Sequence, residues 1–231
     1  MALTRRLVKG QALTSAEHDA NIDHFEENPN GVYIPKSPAI GLKIDETAPD
    51  WGWHDLIGNL HYDDATPATL PPYALYSGNL KSRQYSVNDE GFIELHMPHD
   101  YAEGTDIYVH VHWSHNSLTV ASGAPTFIVE GTYAKGHNQA AFGAPISVNL
   151  SEAASTTRYQ HMVTEAQFSN AGGTGGLLDT ATLEVDGMFL LRVTLSANTI
   201  NDGSLPFVHF VDIHYQSTGV PTKQKAPSFH I

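Results

Sequence analysis

The chain has 231 residues, 41% of them hydrophobic, no cysteine, and 12 Lys+Arg against 25 Asp+Glu, for a formal charge of −13. A chain of this length buries an apolar core without disulfide or structural-metal help, and missing thiols exclude disulfide scaffolds, thiolate zinc sites and cysteine nucleophiles. The acidic balance argues against nucleic acid or an anionic membrane as partner, since both need a positive surface. No apolar run is long enough to span a bilayer, and the N-terminus has no export-signal core, so a soluble product is expected.

The predicted elements begin with an arm. Arg5, Arg6 and Lys9 fall within the first nine residues, which hold no acid. Thr14-Ser15-Ala16-Glu17 has the Thr-x-x-Glu form of a capping box and predicts a helix over 15–27, ended by Asn28-Pro29-Asn30-Gly31. Its apolar positions, Ala16, Ala20, Ile22 and Phe25, make a stripe too thin to fold alone, so the helix needs a partner surface.

Seven of the 13 prolines (Pro29, Pro35, Pro38, Pro49, Pro67, Pro71 and Pro72) fall within residues 28–90. Each fixes φ and removes a ladder donor, so this stretch reads as extended and turn-rich. Inside it, Trp51 and Trp53 would share a face of a short edge strand clamped onto the main body.

From residue 91 the pattern turns to strands. Over 106–113, Ile107, Val109, Val111 and Trp113 alternate strictly with Tyr108, His110 and His112, which marks the first set as the core face. Further strands are expected at 92–96, 126–133, 146–149, 157–164, 188–195 and 207–215, with 171–176 a flexible glycine loop and the tail from 217 running along a surface. The expected fold class is mainly β, an antiparallel β-sandwich of jelly-roll type with a short N-terminal helix and extended arm. The expected organisation is an arm and helix at 1–30, an extended Pro/Trp-rich segment at 31–90 packing on the body, and a β-sandwich body with tail at 91–231.

Fourteen histidines are the most unusual feature of the composition, and histidine is both a common metal ligand and a proton carrier near neutral pH. His110 and His112, at i and i+2, project from one strand face. With Gly104 they match Gly-x5-His-x-His, the opening of the cupin metal motif, and His96, His99, Asp100, His115, Asp212 and His214 are third-ligand candidates. The cupin glutamate is replaced by Asn116 and Ser117, and the second cupin motif is missing after Pro206. Tyr108, His110 and His112 are therefore read as a hydrogen-bonding patch on the outer sheet face or at a subunit contact, together with Trp51 and Trp53. His110, His112 and His214 are the residues a metal would use, although no metal or cofactor is expected.

Hydrolase, nucleotide-binding and zinc-protease motifs do not occur. Glu94 and Glu130 are carboxylates without a known separation, which by itself says nothing of glycosidase chemistry.

The opening Leu3-Thr4-Arg5-Arg6-Leu7-Val8-Lys9-Gly10-Gln11-Ala12-Leu13-Thr14-Ser15-Ala16-Glu17-His18-Asp19-Ala20-Asn21-Ile22-Asp23 resembles the N-terminal segment of tailed-bacteriophage virion proteins, of tail-fibre or decoration type. The shared pattern is Arg-x2-Lys-Gly-x-x-Leu-Thr-x-x-Glu-x-Asp-x-Asn. Trp51-Gly52-Trp53-His54-Asp55-Leu56-Ile57-Gly58, His110-Val111-His112-Trp113-Ser114 and Asp212-Ile213-His214-Tyr215 resemble segments of proteins from the same kind of genome.

The resemblance implies an accessory virion protein without catalytic residues, commonly trimeric, made in the host cytoplasm and carried on the capsid or tail surface. The leading expectation is a homotrimeric capsid decoration or head-surface protein. Arg5, Arg6, Lys9, Leu13, Ile22 and Phe25 would anchor it to the major capsid protein or to tail components. Three alternatives remain: a tail-fibre or baseplate-proximal protein; a binder of host surface glycans through Trp51, Trp53, Tyr73, Tyr76 or Tyr133; and a cupin-like metal enzyme built on His110 and His112.

Overall fold

Where apolar side chains recur at every second position the chain forms strands that bury one face, and this pattern fixes the architecture. The computed structural model describes residues 51–62 and 65–229. The arm at 1–30, the helix expected at 15–27 and the first part of the proline-rich segment lie outside the described residues, and with them Arg5, Arg6, Lys9, Leu13, Ile22 and Phe25.

In chain order the strands are β1 (Gly52–Gly58), β2 (Tyr73–Ser77), β3 (Leu80–Arg83), β4 (Glu90–His96), β5 (Tyr108–Ser114), β6 (Pro125–Ala134), β7 (Ile146–Ser151), β8 (Met162–Gln167), β9 (Ser169–Asn170), β10 (Leu178–Asp179), β11 (Met188–Asn198) and β12 (Phe207–Ser217). Two antiparallel four-stranded sheets, β1-β12-β5-β8 and β4-β11-β6-β7, form a β-sandwich. Counting only these eight strands along the chain, the sheet orders read 1-8-3-6 and 2-7-4-5, the doubled Greek key of a jelly roll.

The core lies between the sheets. Ile107, Val109, Val111 and Trp113 are fully buried, as their alternation predicts, and face Phe127 and Val129 of the opposite sheet, with the Trp113 and Phe127 rings 6.3 Å apart. Each such side chain contributes roughly 1.5–3 kcal/mol by leaving water.

Three features differ from the sequence expectation. The sandwich starts at Gly52 and not at residue 91, because β1 pairs with β12 along its whole length, Gly52 opposite Ser217 through Gly58 opposite Val211. The segment expected to lie on the body thus supplies the first jelly-roll strand. It also forms the β2–β3 hairpin, directly after Pro71 and Pro72, turned through Gly78 at φ 55°.

β8 begins at Met162 and not at 157, since Tyr159 sits at φ 64° in a turn closed by Gln160 N–H donating to the Thr157 carbonyl. The glycine run 171–176 is folded into short 3-10 turns between β9 and β10. Asn170 Oδ1 accepts from Thr174 N at 2.8 Å and Asp179 Oδ1 from Gly172 N at 3.0 Å.

Candidate functional site

The outer face of the β1-β12-β5-β8 sheet carries a polar centre that the strand registers assemble. On β5, Tyr108, His110 and His112 point away from the core, because Val109 and Val111 point into it. β12 meets β5 with a bulge between Val208 and Phe210: Val208 stands opposite Trp113 and Phe210 opposite His112. That extra residue turns Phe210, Asp212 and His214 outward, leaving Val211 and Ile213 in the core. One cross-strand row therefore reads Ile57, Asp212, His110, Glu165, and the next reads Asp55, His214, Tyr108, Gln167.

Asp212 lies at the middle of this centre and is 0% exposed. Its Oδ1 is 3.4 Å from His110 Nδ1 and 3.3 Å from His112 Nε2. On the far side of each ring, His110 Nε2 lies 2.7 Å from Glu165 Oε2, and His112 Nδ1 lies 2.8 Å from His161 Nε2. His112 stacks on Phe210 at 3.9 Å between ring centroids, and the ring of His214 touches those of His110 and Trp53, each at 4.8 Å.

Burial by itself would raise the Asp212 carboxyl and lower the His110 imidazole. In both cases the neighbours outweigh it. His110 and His112 hold Asp212 below the usual carboxylate range, while Asp212 and Glu165 raise His110.

Neither Asp212 oxygen nor His112 Nε2 has a hydrogen-bond partner, although all three atoms are buried. Two groups of three ligand atoms lie within 4.8 Å of one another: His110, His112 and Asp212, and Asp55, His110 and His214. The three histidines singled out in the sequence thus do come together. Asp212, named among the third-ligand candidates, joins them, and its outward direction depends on the bulge.

The expected hydrogen-bonding patch is on the outer face, but its histidines are covered: His110 is 6% and His112 8% exposed, so neither presents itself to a partner. Flanking side chains from β1, β8 and β12 close over them. Trp53, 44% exposed, lies against Tyr108 and His214, and Trp51 precedes β1 half-buried.

The other third-ligand candidates are elsewhere. Asp186 gathers His96 (2.7 Å), His99 (3.6 Å) and His137 at the turn before β11, where Phe229 of the tail touches His99 and His137. Asp100 accepts from Ser217 and Tyr215, and His115 meets the Ser155 carbonyl. A groove of about 370 Å³ crosses the outer face of the other sheet, lined by Glu94, Glu130 and Arg192 among others. There Arg192 pairs with Glu130 at 2.5 Å, and His61 lies 3.4 Å from Glu94. This groove is on the opposite sheet from His110 and His112, so it gives a cupin-like reading no pocket at those residues.

Of the sugar-platform candidates, Tyr133 is buried with its hydroxyl donating to the Glu184 carbonyl. Tyr76 is half-buried among Tyr159, Phe207 and His209. Tyr73 is 62% exposed, its ring covered on one side by the Arg83 guanidinium.

No protein-family model matches the chain, and no curated protein matches it. Among solved structures, the chain is similar to the CBM35 carbohydrate-binding module from Cellvibrio japonicus Abf62, at 8% identity over 72% of this chain and 99% of that one, with a TM-score of 0.30. It is similar to a Paenibacillus cycloisomaltooligosaccharide glucanotransferase at 9% identity over 70% of this chain and 18% of that one, with a TM-score of 0.30. It is also similar to the CBM22-1–GH10 modules of Clostridium thermocellum xylanase 10B at 13% identity over 70% and 26%, with a TM-score of 0.32. The jelly-roll description rests on the strand orders themselves and not on these alignments.

Proposed function

We propose that this chain is a non-enzymatic structural protein of a tailed-bacteriophage virion, a capsid decoration or head-surface protein that docks through residues 1–30 and associates as a trimer through its β-sandwich. The observation that carries the reading is the character of β1. It is an edge strand bonded only to β12 among the described residues, and it exposes Ile57 (61%) and Trp53 (44%) on one face. An open strand edge beside exposed Trp53 and Ile57 is a surface that a second copy of the same sandwich would cover. The N-terminal resemblance supports placing that assembly on a virion, and the basic first nine residues complement an acidic particle surface.

The test is sedimentation of the full chain beside Ile57→Lys. The wild type is expected to sediment as a trimer and the variant as a smaller species with unchanged melting. A monomeric wild type removes the assembly reading. Deleting residues 2–27 is expected to leave a folded sandwich that no longer binds particles.

A second reading, host-glycan binding, is favoured by the exposed face of Tyr73, already backed by Arg83 as a rigid platform. Binding on a glycan array that Tyr73→Ala abolishes would support it.

A further inference from the structure

We infer that His110, His112 and Asp212 form a binding site for a divalent first-row transition ion of the zinc type, on the outer face of the β1-β12-β5-β8 sheet. The spacing of the atoms is the first support. Ligands held about 2.0–2.1 Å from a tetrahedral ion lie about 3.3–3.4 Å apart along each edge of the tetrahedron. Asp212 Oδ1 is 3.4 Å from His110 Nδ1 and 3.3 Å from His112 Nε2. Those separations are too long for good hydrogen bonds between the same groups.

Unmet polar atoms are the second support. A fully buried carboxylate costs several kcal/mol unless something compensates it. Asp212 has no hydrogen-bond donor on either oxygen, and His112 Nε2, facing it, has no partner either. A cation between them satisfies all three atoms at once.

The outer partners are the third. Glu165 can only accept, so His110 Nε2 carries the proton in their 2.7 Å contact, and in the neutral ring Nδ1 is then the lone-pair atom turned toward Asp212. His161 meets His112 Nδ1 at 2.8 Å in the same way, so that Nε2 is free to ligate when Nδ1 donates. Imidazoles held by a second group on the far nitrogen, with the near nitrogen free, are the usual arrangement around protein-bound metals. His214 and Asp55 form a second ligand group with His110 beside the site, and a water would fill the fourth position of the ion. Imidazole with carboxylate suits zinc, cobalt and nickel better than calcium or magnesium, which take oxygen ligands.

The test uses the full chain, stripped with a chelator, dialysed, and titrated first with cobalt(II) chloride and then with zinc chloride. One equivalent of cobalt is expected to bind with the intense visible absorption of a four-coordinate ion, and zinc is expected to displace it. His112→Ala and Asp212→Asn are each expected to weaken binding at least about tenfold, and His161→Ala, which touches only the outer partner, by about 10–100-fold. His54→Ala, on another part of β1, serves as the control and is expected to bind as wild type. If Asp212→Asn does not fold, the His112→Ala and His161→Ala titrations decide. No stoichiometric binding, or binding that His112→Ala leaves unchanged, overturns the site.

Discussion

The indole Nε1 of Trp113 donates a 2.8 Å hydrogen bond to Thr164 Oγ1, joining β5 to β8 inside the core, where the two residues are 0% and 2% exposed. An apolar interior accepts so large a ring only if its one polar atom is satisfied. Thr164→Val keeps the shape and removes the acceptor. It is expected to cost about 1–3 kcal/mol, the desolvation penalty of an orphaned donor, read as a lower urea midpoint with an unchanged slope. An unchanged midpoint would mean that the indole finds another acceptor.

Gly123 adopts φ 92°, and a Cβ there would run into the backbone carbonyl of Thr199, which cannot swing aside as a side chain can. Its own carbonyl accepts from Ala154 N at 2.8 Å, tying the loop before β6 to the stretch after β7. Gly123→Ala combines left-handed strain with a backbone clash and is expected to lower stability by at least about 2 kcal/mol by thermal or urea melting.

Arg192 bridges β4 and β6 across β11, with Glu130 at 2.5 Å and Glu90 at 3.5 Å. The guanidinium is 46% exposed, so water screens both pairs. Arg192→Ala is expected to cost less than about 1 kcal/mol, and the loss should shrink further in high salt. A large, salt-insensitive loss would show that the contribution is packing along the β11 face.

Asp186 offers a pH handle. Burial alone would raise its carboxyl, but His137 and His96 outweigh that and hold it below the ordinary value of 3.8. A depressed folded-state value means that the stabilisation is fully present above the unfolded-state pKa and is lost as pH falls through the folded-state one. The stability gap between wild type and Asp186→Asn is therefore expected to close as pH falls below the ordinary carboxylate range. Paired urea melts over a pH series would read it. A gap that persists at the lowest pH would assign the effect to lost hydrogen bonds and not to charge.

Much of the sandwich was legible because its strands are half-buried and so alternate. Ile107 to Trp113, 188–195 and 207–215 announce themselves, and an edge strand is expected at Trp51 and Trp53, where β1 lies at the edge of its sheet and holds the second of them. The β2–β3 hairpin was not legible, since two prolines immediately before it read as a break and its exposed Tyr73, Leu75 and Leu80 give no core face. Nor was the sandwich's true start: only pairing with β12, over 150 residues away in sequence, makes β1 part of the sheet. For the site, the His-x-His spacing was visible from composition and pattern. Asp212 was among the third-ligand candidates, but its facing was not legible, since strict alternation carried on from Phe207 and Val208 gives it the wrong side.

Counting back from Trp113 without the irregularity in β12 would place Val211 across from His110, and Asp212 across from Val109 among the hydrocarbon side chains. Deleting the residue at position 209 would remove the irregularity and leave Phe210, Asp212 and His214 facing as they do, because Phe210 would follow Val208 directly and keep His112 as its partner. Pairing every residue of β12 as an unbroken ladder, with 209 kept, would instead turn its later half over and exchange its oily and charged sides together. The carboxylate beneath the imidazoles thus depends on the ladder stepping past one residue of β12, and not on the alternation of the residues around it.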